Sequence, residues 1–151
     1  SLGRSEEEEL RAIAQGFMLS ADNAHAVHPD SPEKSDPTNR CYLNGGVVVK
    51  HSPRYASDAL TAGIFQKICQ KAGVPVQVYY NNSKIPGGGT LGNASGAQVA
   101  LPTVDIGLPQ LSMHSPYETA GAKDLDYMVW AMKAFYESVL VQTGRDVYSL
   151  R

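Results

Sequence analysis

Cysteine is nearly absent from this sequence: Cys41 and Cys69 are the two in 151 residues, and no CxxC spacing occurs. That excludes a disulfide framework and a cysteine-built zinc site, and it favours a reducing, cytoplasmic setting. Strong charge of either sign is missing as well. Thirteen basic against fifteen acidic residues leave a formal charge of −2, which gives no electrostatic reason to expect nucleic acid or an anionic membrane as a partner. No apolar run approaches the roughly 20 residues of a membrane-spanning helix. The first ten residues, SLGRSEEEEL, lack the apolar core of a signal peptide. There is no initiator Met, and the first residues read as mid-domain material. What is present is ordinary globular composition, 42% hydrophobic and 19% charged, enough for one core and one domain.

Local patterns order the chain. Ser5 before Glu6–Glu9 and Leu10 predicts a short helix with Ser5 as N-cap and the glutamates in its first turn. That solvated turn accounts for the glutamates, so they are not read as the Glu-Glu pair of a two-metal peptidase. Phe17-Met18-Leu19 predicts a buried strand. Pro29 to Gly46, rich in Pro, Asp, Ser and Asn, predicts a long loop of the functional or disordered kind. Val47–Val49 and Val76–Tyr80 read as strands. Between them, Ser57 to Gly73 reads as a helix with Leu60, Ile64, Ile68 and Ala72 on its buried face. A short helix over Thr90–Ala100 and strands over Thr103–Ile106 and Gln110–Met113 follow. The last helix is predicted to bury Leu125, Met128, Val129, Met132, Phe135, Tyr136, Val139 and Leu140. Strands alternating with helices predict an α/β fold, a sheet covered by helices.

Four segments carry residues capable of chemistry. In Ser20-Ala21-Asp22-Asn23-Ala24-His25-Ala26-Val27-His28, a carboxylate at a strand end precedes two histidines. Carboxylate and imidazole both ligate zinc, although spacing alone favours Asp22 as a turn cap and the histidines as partly buried hydrogen-bonding groups. In Met113-His114-Ser115-Pro116-Tyr117-Glu118, His114 leaves a strand, and Glu118 is placed to accept a hydrogen bond from the imidazole and fix its tautomer. The loop Ile85-Pro86-Gly87-Gly88-Gly89-Thr90 lacks the lysine of a nucleotide-binding Walker loop. Its glycines either admit a small ligand close to the backbone or simply make it flexible. Lys50, at a strand end with Tyr55 nearby, either receives a substrate carboxylate or is solvated.

Taken in order, FMLSADNAHAVHP, GVVVKHSPRYAS, GGGTLG and TVDIGLPQLSMHSPYE resemble the aspartyl aminopeptidase family of two-zinc metallo-aminopeptidases over residues 17–121. The resemblance implies a zinc-peptidase, phosphorylase/hydrolase-like fold, of which residues 1–151 form the C-terminal portion of the catalytic domain. It also implies Asp22 and His114 as ligands of two zinc ions, and Lys50, Tyr55, Gly89 and Thr90 as a lining of the substrate pocket. The implied reaction is metal-assisted removal of an N-terminal, acidic amino acid from a peptide. The implied partners are the upstream half of the same domain, which carries the other ligands and the general base, and further copies in a homo-oligomer. On that expectation the isolated chain is inactive. Gly88 and Gly89 stand where the family commonly has Cys or Ser before the threonine. Two alternatives remain: the glutamyl aminopeptidase-like cousin family, which shares the HSPYE context, and a non-catalytic scaffold derived from a peptidase.

Overall fold

The computed structural model describes residues 3–151. Helix α1 (Glu6–Ala14) begins as its sequence dictates. Ser5 Oγ accepts the Glu8 N–H while the Glu8 carboxylate accepts the Ser5 N–H, satisfying two orphan amides reciprocally. Strands β1 (Met18–Ala21) and β2 (Ala24–His25) follow. The Pro29–Gly46 segment is irregular apart from one 3-10 turn at Pro32–Lys34. Next, β3 (Val47–His51), α2 (Ala59–Ala72) and β4 (Val76–Tyr80) form a βαβ unit with the two strands parallel. Then come α3 (Leu91–Gly96), β5 (Thr103–Gly107), β6 (Pro109–Leu111), β7 (Thr119–Ala120) and α4 (Ala122–Glu137). A hairpin of β8 (Leu140–Gly144) and β9 (Val147–Leu150) closes the chain.

The main sheet has the order β1-β5-β3-β4, with β5 parallel to β1 and antiparallel to β3. Alternation of side chains then gives the sheet two different faces. Val47, Val49, Val104 and Ile106 meet Phe65 and Cys69 of α2 and Ala131 of α4 in the apolar core. Each such large side chain contributes about 1.5–3 kcal/mol on burial. The opposite face carries a polar row. Ser20 is in register with Asp105, and Lys50 with Tyr79. Continuing the β3–β5 register sets Lys50 opposite Asp105. All four are 5% exposed or less. This is an α/β fold with the sheet covered by helices, as predicted.

The helix faces differ from the prediction. On α2 the buried residues are Thr61, Ala62, Phe65, Ile68 and Cys69, so only Ile68 of the predicted stripe is retained. Both sets obey the three-and-four spacing; the bulk of Phe65, 0% exposed, decides which side turns inward. On α4, Met128 and Met132 pack against the core, but Leu125, Val129 and Tyr136 are 59%, 56% and 77% exposed. The helix stops at Glu137, where Ser138 turns extended with its Oγ on the Ala134 carbonyl, so Val139 and Leu140 belong to the hairpin instead. Helix α3 is shorter than Thr90–Ala100, and β6 ends at Leu111, short of Met113.

The rotation of α4 is set at its N-terminus by Asp124, which is fully buried. Its two carboxylate oxygens accept the Asn44 and Gly46 N–H groups at 2.6 and 2.9 Å, and the Asn44 side chain in turn accepts the Lys123 N–H. The end of the long loop is thereby clasped to the first turn of α4 immediately before β3 begins. Asp124→Ala leaves two buried amides unpaired and is expected to cost about 2–5 kcal/mol. Leu125→Ala, on the exposed side, is expected to cost about 0.5 kcal/mol or less. Urea unfolding of both variants checks the contrast, and a larger loss for Leu125 would show that the helix is rotated the other way.

Candidate active site

Asp22 lies one residue past β1, with its N–H donated to the Ile106 carbonyl. Two features hold it there. Gly107 packs under it so closely that a Cβ would overlap the Asp22 carbonyl oxygen and stand 2.8 Å from Asn23 Cα. Lys50, 2% exposed, reaches the same turn from β3. Its Nζ donates to the carbonyls of Asp22 and Asn23 at 2.9 and 3.2 Å and to Asp22 Oδ2 at 3.4 Å, using the three donors an ammonium has. Burial pushes the Lys50 ammonium below its ordinary value, and the charges of Asp22 and Asp105 oppose that shift. The Asp22 carboxylate itself stays part exposed at 43%.

A second, three-stranded sheet, β2-β6-β7, presents the histidines. His25 is in register with Gln110 of β6. Beyond β6 the chain turns sharply: Ser112 and His114 both have positive φ, 54° and 68°, a costly conformation for non-glycine residues. The Ser115 N–H closes the turn on the Ser112 carbonyl. Glu118 Oε1 accepts the His114 backbone N–H at 2.6 Å. Glu118 therefore fixes the strained turn through the main chain, whereas the expected partner was the imidazole. The His25 imidazole is held below its usual value first by burial and then by the charge of His114.

Beside His25 lies a cleft of 210 Å³ whose walls include His25, His28, Lys34, Tyr55, Tyr79 and Gly88. Tyr55 has its ring 5.2 Å from Lys50 Nζ. Burial and the nearby carboxylates of Asp105 and Asp22 raise its phenol. The long loop forms part of the wall because it is tied down. Ser35 bridges to Asn81, and the Asn82 side chain donates to the Glu33 carbonyl at 2.8 Å. The Asp36 carboxylate takes four hydrogen bonds from Thr38 and Asn39, which bring its pKa down to about 2. Of the predicted pocket residues, Tyr55 is on the wall and Lys50 is behind it. Gly89 and Thr90 lie outside the lining, and Gly87 and Gly88 take their place.

The donor types suit zinc in part. Asp22 offers a part-exposed carboxylate with one oxygen free of Lys50, and His114 offers an exposed imidazole. Zinc sites take three or four such donors. No cluster of three or more His, Cys, Asp or Glu that could hold a metal occurs among the described residues. Cys41 and Cys69 are no reserve: both are buried, and burial pushes their thiols up to about 12.

Residues 1–136 match the family described as "Aminopeptidase I zinc metalloprotease (M18)". The chain belongs to the M18 aminopeptidase family. It is 44% identical over 138 residues to a probable M18 family aminopeptidase 2 of Clostridium novyi, covering 90% of this chain and 32% of that one. It is 45% identical over 130 residues to the corresponding protein of Pseudomonas aeruginosa, covering 85% and 30%. The M18 chain thus spans about a third of the length of these curated relatives. A chain in the cryo-EM structure of the Ape4 and Nbr1 complex superposes with TM-score 0.85 at 34% identity, covering 89% of this chain and 26% of that one. The S. cerevesiae mApe1 dodecamer superposes with TM-score 0.71 at 28% identity, covering 80% and 26%. These neighbours place the four-stranded sheet and its helices within an M18 peptidase fold.

Signals for the site were uneven. The strand end at Asp22 and the turn at His114 were readable from short local patterns. Asp105, Gly87 and the buried engagement of Lys50 were not, because each depends on segments far apart in the chain. A direct check of the Asp22 turn is Gly107→Ala. It is expected to destabilise the M18 chain by about 2 kcal/mol or more through backbone overlap. Gly63→Ala on α2, where an added Cβ meets nothing within 4 Å, is expected to stabilise by about 0.5–1 kcal/mol. Thermal unfolding measures both, and equal effects at the two positions would contradict the close approach at Asp22.

Proposed function

We propose that the chain is the C-terminal portion of the catalytic domain of a zinc aminopeptidase that removes N-terminal, acidic amino acids from peptides. The reading is carried by the Asp22 turn, a part-exposed carboxylate at a strand end braced by Lys50 and Gly107. Asp22 and His114 would ligate zinc, with further ligands and the general base supplied by the part of the relatives' length that this chain does not span. When bound, two zinc ions supply a Lewis acid and an activated water.

The chain's own residues do the positioning. Lys50 holds the Asp22 carbonyl and carboxylate together, fixing the direction in which the free oxygen points. The left-handed turn and Glu118 present His114. Lys34 on the wall, with the Lys50 ammonium behind Tyr55, favours an anionic side chain or carboxylate. Assembly into a homo-oligomer is supported by the dodecameric mApe1 relative. No helix among the described residues is long and apolar enough to cross a membrane, and two free buried thiols accord with a reducing cytoplasm.

The test is elemental analysis and peptidase assay on this chain alone and after mixing with the remaining portion of the protein. Zinc retention and release of N-terminal Asp or Glu from peptides are expected only in the mixture. Both are expected to fall by about 100-fold or more in Asp22→Ala and His114→Ala. Metal-free, inactive samples would instead support a scaffold derived from a peptidase, and full activity in both variants would overturn Asp22 and His114 as ligands. A panel of aminoacyl substrates tests the acidic preference.

A further inference from the structure

Asp105 sits at the centre of the polar row on the sheet, 0% exposed, between Ser20 of β1 and Lys50 of β3. A carboxylate buried in a sheet is a poor way to gain stability, because its desolvation cost rivals what its partners return. The contacts of Asp105 point instead to the cleft. Its Oδ2 accepts the Ala56 N–H at 2.6 Å, and its own N–H donates to Ser57 Oγ at 2.8 Å. Both partners directly follow Tyr55, the tyrosine on the cleft wall. Its Oδ1 lies 2.8 Å from where a Cβ on Gly92 would be, so the first turn of α3 closes onto the carboxylate only because residue 92 has no side chain. That oxygen has no hydrogen-bond partner among the described residues.

The two loops above Asp105 are also tied to each other. Arg54 Nη1 donates to the Gly87 carbonyl at 2.9 Å, and the Asn93 side chain donates to the Arg54 carbonyl. The Tyr55 loop, the glycine loop and α3 therefore form one unit resting on a single buried carboxylate. We propose that Asp105 is a positioning residue of this site, holding the Tyr55 loop and the glycine loop at a fixed distance from Lys50 and so setting the shape of the substrate cleft. The proposal rests on the reading of that cleft as the substrate pocket of a peptidase.

Its test has two arms. Amide hydrogen exchange on the 151-residue chain is expected to show Tyr55 and Ala56 exchanging at least about tenfold faster in Asp105→Ala. The Val48 and Val78 amides stay unchanged, and Asp105→Asn, which keeps an acceptor for the Ala56 N–H, restores protection. In the complete peptidase, Asp105→Ala is expected to raise KM about tenfold with kcat within about threefold, Asp105→Asn again lying nearer the wild type. Should Asp105→Ala fail to fold, Ser57→Ala removes the neighbouring clamp and is expected to shift both readouts in the same direction by a smaller factor. Unchanged exchange at Ala56, equal acceleration at Val48 and Val78, or an unchanged KM would overturn the proposal. A wild-type complete protein with no peptidase activity would sink the peptidase reading, and the exchange arm would still decide whether Asp105 holds the loop.

Discussion

A lysine ammonium 2% exposed in the middle of a sheet is tolerable only if its proton donors and its charge are answered locally. Lys50 meets that condition by binding the two carbonyls and the carboxylate of the Asp22–Asn23 turn, with Asp105 opposite on the next strand. Much else follows from this arrangement. The strand ends of β1, β3 and β5 are locked together, Gly107 must remain without a side chain, and Asp22 is left with one oxygen directed away from the lysine. The face opposite the apolar core thus became polar and constrained, and the cleft is built above it.

The same constraint explains the division of labour between the two sheets. The larger one supplies rigidity, since its far face is packed by Phe65, Ile106 and Val104 and cannot shift without opening a cavity. The smaller one carries His25 and leads to the left-handed turn at His114, a short and strained element that aims one imidazole. Asp124 plays a comparable part at the other end of β3, where its carboxylate fixes the exit of the long loop and the rotation of α4. Buried carboxylates, more than ion pairs on the surface, set the geometry of this fold.

What could be read from the sequence was what is local. The α1 cap, the strands through Val47–Val49 and Val76–Tyr80, and the α/β character depend on neighbours a few residues apart, and they occur where expected. The inward face of α2 could not be read, because Leu60-Ile64-Ile68 and Phe65-Ile68-Cys69 have equivalent spacing and tertiary fit alone chose between them. The apolar positions of α4 ran on into Val139 and Leu140, which concealed the break at Ser138 and the hairpin beyond it. At the site, four ordered segments pointed to Asp22 and His114. The partners of Asp105 and Lys50 come from loops dozens of residues away, which no spacing within the sequence could disclose.

On the proposed function, the braced turn at Asp22 and the strained turn at His114 present metal ligands. Anomalous scattering at the zinc edge from crystals of the complete protein tests it most directly. The account predicts zinc about 2.0–2.2 Å from an Asp22 carboxylate oxygen and about 2.0–2.1 Å from the His114 ring, with Lys50 still bound to the Asp22 carbonyl. Zinc held with neither residue among its ligands would contradict it.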